Sequence, residues 1–242
     1  MENLKDKTIG QIVAEDFRTS DVFRSHGIDF CCGGKKSLQK ACEEHQVDMN
    51  VLENELKIIA EVSVRSHDYD SWELDFLTDY IINTHHKYVE KETMLIYEYA
   101  KKVASVHGDR HPEMVEVSEL FFDLAQELIA HMRKEEMILF PYIKQLSKSK
   151  QENAAFIPPP FGSAENPVNM MMHEHEVAGE LLKKINELTR QYTPPADACN
   201  TFRVLLGKLN EYENDLHTHI HLENNILFPK TLELEKQMEL VG

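Results

Sequence analysis

HMRKEEMILFP, His131 to Pro141, occurs a second time as HIHLENNILFP, His219 to Pro229. Both copies read His, three residues, Glu, then an apolar stretch closing on Leu-Phe-Pro. Residues four apart on an α-helix stand one turn above each other on the same face, so His131 projects with Glu135 and His219 with Glu223. One turn upstream an acid repeats as well, Glu127 before His131 and Asp215 before His219. A further His precedes each copy on its own helical stretch, His86 before the first and His175 before the second. His131 and His219 lie 88 positions apart, and His86 and His175 lie 89 apart. A single His/Glu pair at this spacing reads as a surface ion pair. Two copies, each preceded by a His at matching distance, read as two halves of one metal site.

The 242 residues allow one or two domains and a substantial core. With 26 Lys and Arg against 42 Asp and Glu, the formal charge is −16, which disfavours nucleic acid and anionic membranes as partners. No charged-then-apolar leader and no run of transmembrane length is apparent, so a cytoplasmic protein is expected. The cysteines at 31, 32, 42 and 199 include an adjacent pair but no CxxC. They form neither a secreted disulfide framework nor a zinc-finger spacing.

Residues 1–62 read as a small helical module. Thr8 caps a short helix, and Thr19 or Ser20 caps a second that stops at Gly27. Asp29-Phe30-Cys31-Cys32-Gly33-Gly34-Lys35-Lys36 reads as a tight turn whose two glycines permit positive φ. Ser37 starts a third helix and Asp48 a fourth, through Val51, Leu52, Leu56 and Ile59. So short a module buries little core alone and is expected to rest on the remainder of the chain. The polar stretch 63–71 reads as a linker.

Four long amphipathic segments follow. The first runs from Ser71 to near Gly108 and carries His86. The second starts at Pro112 and carries His131 and Glu135, with Pro141 expected to kink or tighten its last turns. A mobile loop is expected from Ser147 to Asn166. Pro167 opens the third, with His173 and His175, and Pro194-Pro195 precedes the fourth, with His219 and Glu223. This is an all-α protein, a four-helix bundle with an interior metal site. Mixed imidazole and carboxylate donors suit iron or manganese better than thiolate-preferring metals. If Glu135 and Glu223 each bridge two metals, they supply four oxygens, and His86, His131, His175 and His219 four nitrogens. Each metal then has four protein donors and room for an oxo bridge or an exogenous molecule. Ferritin-like sites use Glu-x-x-His; His-x-x-x-Glu argues against such a ferroxidase.

On these motifs, residues 72–232 resemble a hemerythrin-like domain. The chain departs from the oxygen carriers, whose third helix has His-x-x-x-His, because Gly179 stands four residues after His175. Phe-Cys-Cys-Gly-Gly-Lys (30–35), together with the paired His-x-x-x-Glu-x-x-x-Leu-Phe-Pro helices, is similar to the repair-of-iron-centres family over nearly the whole chain. The resemblance implies a cytoplasmic protein with two non-heme irons, oxo- and carboxylate-bridged, that restores iron–sulfur clusters damaged by nitric oxide or oxidants. It implies damaged iron–sulfur proteins as partners and O2 or NO as small ligands, and leaves monomer and homodimer both open. The implied ligands are His86, His131, Glu135, His175, His219 and Glu223. Glu127 and Glu174 match acidic positions near the iron that are implicated in access or release.

Among the remaining candidates, His85 points about 100° away from His86 and is the alternative ligand. His173, His217, His221 and Glu136 read as solvated, Cys42 and Cys199 as small fillers. Cys31 and Cys32 read as reactive thiols whose thiolate state Lys35 and Lys36 favour; they are expected to serve iron transfer. Three functional classes stay open: repair by iron supply, nitric oxide reduction at the di-iron centre, and a non-enzymatic O2 or NO sensor.

Overall fold

The computed structural model describes residues 4–61 and 68–241. The linker read at 63–71 therefore falls largely outside the described residues. Its end is structured: Tyr69–Ser71 form a 3-10 turn, and the buried Tyr69 ring meets Phe17 and Trp72 edge-on. The chain divides into two compact units. One comprises Met1–Thr78, Ile143–Pro158 and His217–Gly242, the other Asp79–Tyr142 and Pro159–Leu216. Among the described residues there is no strand, only an isolated Thr8–Ser37 bridge, and no helix is long and apolar enough to cross a membrane.

In the first unit, helix α1 (Ile9–Glu15) starts on a capping box in which Thr8 and Gln11 exchange side-chain to backbone bonds. Helix α2 (Thr19–Ser25) has no side-chain cap. Thr19 instead donates from Oγ1 to the Asp16 carbonyl at 2.7 Å, inside the turn it was expected to cap. Gly27, at φ +67°, lets the chain leave α2. Ser37 caps α3 (Leu38–His45), and α4 (Met49–Glu61) follows Asp48, whose carboxylate accepts from the Asn50 amide at 2.8 Å. The apolar faces of these helices close over Ile9, Val13, Phe23, Leu38 and Leu52, and Ile220 from far along the chain completes that core. Each such fully buried side chain contributes about 1.5–3 kcal/mol.

Cys31 and Cys32 precede a 3-10 turn, Gly33–Lys35. Neither Gly33 nor Gly34 uses positive φ, contrary to the reading of the turn. Gly34 is required for another reason. A Cβ there would lie 2.5 Å from Asn225 Oδ1, and one at Gly10 would lie 2.4 Å from the same atom. The Asn225 amide nitrogen in turn reaches the carbonyls of Phe30 at 3.1 Å and Cys31 at 3.3 Å. Two missing side chains thus admit an amide that pins the cysteine loop.

The second unit holds the bundle core. Helix α5 (Leu74–Ile81), a π-helical turn (Ile82–His86) and α6 (Lys87–His107) replace the single helix expected from Ser71. Pro112 immediately precedes α7 (Glu113–Lys134), which runs into a second π turn (Glu135–Leu139) and α8 (Phe140–Gln151). Pro141 therefore sits after a widened turn instead of tightening one, and the helix continues for ten residues beyond it. The register change coincides with the backbone donor that proline lacks. Because α8 reaches Gln151 and α9 (Glu165–Leu188) starts before Pro167, the connection is shorter than the expected 147–166 loop. Helix α10 (Asn200–Leu222), a third π turn (Glu223–Leu227) and α11 (Phe228–Val241) complete the chain. Ile96, Phe121, Leu182 and Leu209, from α6, α7, α9 and α10, share one core. Within it Thr93 Oγ1 and the Tyr212 hydroxyl pair at 2.7 Å.

Gly34→Ala is expected to destabilise the protein by about 1–3 kcal/mol through overpacking, seen as a lower urea midpoint at unchanged slope. In an Asn225→Ala background the same substitution should cost less, because the obstructing amide is gone.

Candidate metal centre

The second unit brings four of the expected ligands together from three helical segments. His86 closes the first π turn, His131 lies in the last turn of α7, Glu135 opens the second π turn and His175 projects from α9. His86, His131 and His175 are each 1 % exposed and Glu135 is fully buried. Glu135 Oε2 lies 3.4 Å from both His86 Nε2 and His131 Nε2, and His131 Nε2 lies 3.0 Å from His175 Nε2. Ligating atoms of His131, Glu135 and His175 all fall within 4.8 Å of one another.

The outer nitrogens decide what faces inward. His86 Nδ1 meets Glu136 Oε1 at 2.7 Å, and His131 Nδ1 meets Glu174 Oε2 at 2.9 Å. A carboxylate only accepts, so each of these imidazoles carries a proton on Nδ1. In the neutral form, the one that ligates a metal, each ring then turns its Nε2 lone pair toward Glu135. This fits a metal-binding set in which carboxylates orient the ligating imidazoles. Lys134 also pairs with Glu174. Chiefly through His131, and further through Lys134, the Glu174 carboxyl is held down at about 2.

The first unit carries the other pair. His219 Nε2 and Glu223 Oε1 are 3.0 Å apart, on consecutive turns where α10 passes into the third π turn. Both side chains are buried. The two Glu residues of the repeated motif thus each open a π turn, and His86 ends one. Inserting a residue into the turn changes the helical phase after the ligand. Leu-Phe-Pro at the same offset in both copies was the sequence signal for two of these turns; Ile82–His86 had none.

Other candidates fall differently. Glu127 is exposed on α7, and the carboxylate at His131 is Glu174. Glu136, read as solvated, is surface-lying but engages His86. His85 is buried and meets Asp215 at 2.9 Å, so Asp215 serves His85. His173 is exposed as expected. His221 is not: it is fully buried, its ring tilted against Phe17 and edge-on to Phe30, and burial pushes its imidazole down to about 4. His217 is partly buried beside Phe30 and is likewise shifted down by burial. Cys42 is buried as a filler, but Cys199 is exposed, with its sulfur 3.2 Å from His107 Nε2.

The surroundings of Cys31 run against a free thiolate. Its thiol is pushed well above the usual range by the hydrogen bond to Cys32, burial and the nearby Asp29. Lys36 is drawn to Glu44 at 2.5 Å. The charge nearest the thiol is negative.

An all-α chain with a buried imidazole–carboxylate set of this kind defines a hemerythrin-like cation-binding protein. The family profile described as the hemerythrin HHE cation binding domain matches residues 77–231, and one described as a domain of unknown function (DUF542) matches residues 5–60. The chain is 36 % identical to the iron-sulfur cluster repair protein YtfE of Enterobacter sp. (strain 638), over 94 % of this chain and 97 % of that protein. It is 36 % identical to the YtfE of Cronobacter sakazakii, over 96 % and 99 %. The same identity holds with the YtfE of Escherichia coli O81, over 94 % and 97 %. The chain belongs to the YtfE iron-sulfur cluster repair family.

Glu174→Gln is expected to weaken metal binding about 10–100-fold, measured by chelator competition. In metal-free protein, the stability contributed by the depressed Glu174 carboxyl is present above its ordinary value of 4.5 and lost as pH falls toward about 2. Urea unfolding across that window should be less pH-dependent in Glu174→Gln than in the parent.

Proposed function

We propose that this protein repairs iron–sulfur clusters damaged by nitric oxide or oxidants by supplying iron. The iron comes from a two-iron centre held by His86, His131, Glu135, His175, His219 and Glu223. The observation that carries the reading is the buried cluster of His86, His131 and His175 nitrogens around the Glu135 carboxylate. Relatives named for iron–sulfur cluster repair, similar over nearly their whole length, support the substrate class. The donor set supports iron over softer metals, because neutral imidazole and carboxylate supply no thiolate. Iron bound there supplies redox chemistry that zinc lacks.

The chain's own residues do the rest. Glu136 and Glu174 keep the protons of His86 and His131 on Nδ1, so the inner nitrogens stay available. Glu174 is only partly buried. Its protonation or displacement would release His131 from that orientation, a route for letting a metal go. Residues 72–232 form the iron-holding bundle in this reading, and residues 1–62 form the module through which iron passes, by way of Cys31 and Cys32. The clients are damaged iron–sulfur proteins, met in the cytoplasm.

Incubating iron-loaded protein with a nitric-oxide-damaged iron–sulfur enzyme should restore the enzyme's activity as the protein loses iron stoichiometrically. Nitrous oxide released catalytically without iron loss would instead make the centre a reductase. Reversible gas binding with neither would make it a sensor.

Two irons per chain, magnetically coupled by Mössbauer spectroscopy, are expected. Glu135→Ala or Glu223→Ala should reduce both together, because a shared bridge serves both metals; clean loss of one iron would rule the bridge out. The iron-loaded form should also melt well above the metal-free form, since the metal binds the folded state. Coincident melting curves would contradict a buried site.

A further inference from the structure

Outside the buried centre, the first unit gathers a second set of ligating atoms. Cys31 Sγ and Cys32 Sγ lie 4.0 Å apart, and Cys31 Sγ lies 3.0 Å from Asp29 Oδ1. One ligating atom from each of the three residues falls within 4.8 Å of the other two. The sulfurs are too far apart for a disulfide bond of about 2.05 Å. Their separation instead suits one tetrahedral cation, for which metal–sulfur bonds of about 2.3 Å place two sulfurs about 3.8 Å apart.

The loop is built to hold that arrangement. The backbone amides of Cys31, Cys32 and Gly33 all donate to the Asp29 carboxylate, at 2.9, 3.1 and 3.0 Å. They fix the acid over the sulfurs. From behind, Asn225 holds the carbonyls of Phe30 and Cys31, in space left by Gly10 and Gly34. Cys31 is buried, Cys32 partly exposed and Asp29 exposed, so one side of the set opens to solvent.

We infer that Asp29, Cys31 and Cys32 form a second metal site, which takes one borderline-soft divalent transition-metal cation through two thiolates and one carboxylate. The inference deepens the repair reading and rests on it for the identity of the cation, which there is ferrous iron in transit. Binding forms two metal–sulfur bonds and one metal–oxygen bond, and the thiol protons leave to solvent. No electron moves. Three protein donors leave a tetrahedral cation one open position, which a client's thiolate can take. Such a site suits hand-over, whereas the centre around Glu135 is buried and rich in nitrogen donors.

The test titrates full-length, iron-loaded protein with cadmium under anaerobic conditions, following the ultraviolet thiolate-to-cadmium band, proton release and retained iron. One equivalent should bind with the iron still in place. The band should vanish in the Cys31→Ser, Cys32→Ser double variant. Asp29→Asn, which keeps the side chain's shape and both thiols, should bind cadmium at least about tenfold more weakly, the lower end of what lost metal-site partners cost. Circular dichroism melts check that both variants are folded. No band at one equivalent, a band that survives in the double variant, or parental affinity in Asp29→Asn would each overturn the site. No client is present in this titration, so its outcome is separate from that of the repair reading. If cadmium binds as expected but the double variant repairs a damaged enzyme at the parental rate, the site stands and the transfer reading falls.

Discussion

The structure depends most on a carboxylate with no exposed surface, Glu135, faced by imidazole nitrogens. Burying an anion costs several kcal/mol unless it is compensated, and the imidazole nitrogens 3.4 Å away are the groups placed to compensate it, as imidazolium or through a shared cation. The apolar interior of the second unit surrounds this polar set and supplies the stability to hold it. A metal held by this buried cluster would couple its binding to folding, because the cluster exists only in the folded chain.

The protonation pattern is set from outside. Glu136 and Glu174 lie toward solvent yet hold the Nδ1 protons of His86 and His131. The inner nitrogens are thus oriented by groups that water can reach. His131, and after it Lys134, keep Glu174 charged and in place. The buried cluster, which could hold a metal, thereby answers to side chains at the surface.

In the first unit the same helix that carries Glu223 also steadies the cysteine loop, through Asn225 two residues further on. His221 and Ile220 pack into the same unit. Within this unit the core of the amino-terminal helices takes in an apolar side chain from α10. Its loop geometry follows from an amide seated where two glycines leave room.

By itself, the sequence determined what repeats locally. The helical fold was legible from apolar spacing, and His131 with Glu135 and His219 with Glu223 could be paired, because positions four apart on a helix must share a face. Thr8 and Ser37 were readable as caps for the same local reason, and Cys31 and Cys32 as a feature because they are adjacent. Only the tertiary structure decided which partner each side chain meets. Glu174 reaches His131 across 43 positions and Glu136 reaches His86 across 50, so no periodicity could pair either acid with its imidazole. The same holds for Cys31. Neighbouring lysines suggested a thiolate, but charge acts through space: Lys36 turned to Glu44 and Asp29 turned toward the sulfur. The π turns lie between these cases. Two of them are followed by prolines visible in the sequence, Pro141 and Pro229, whereas Ile82–His86 has none.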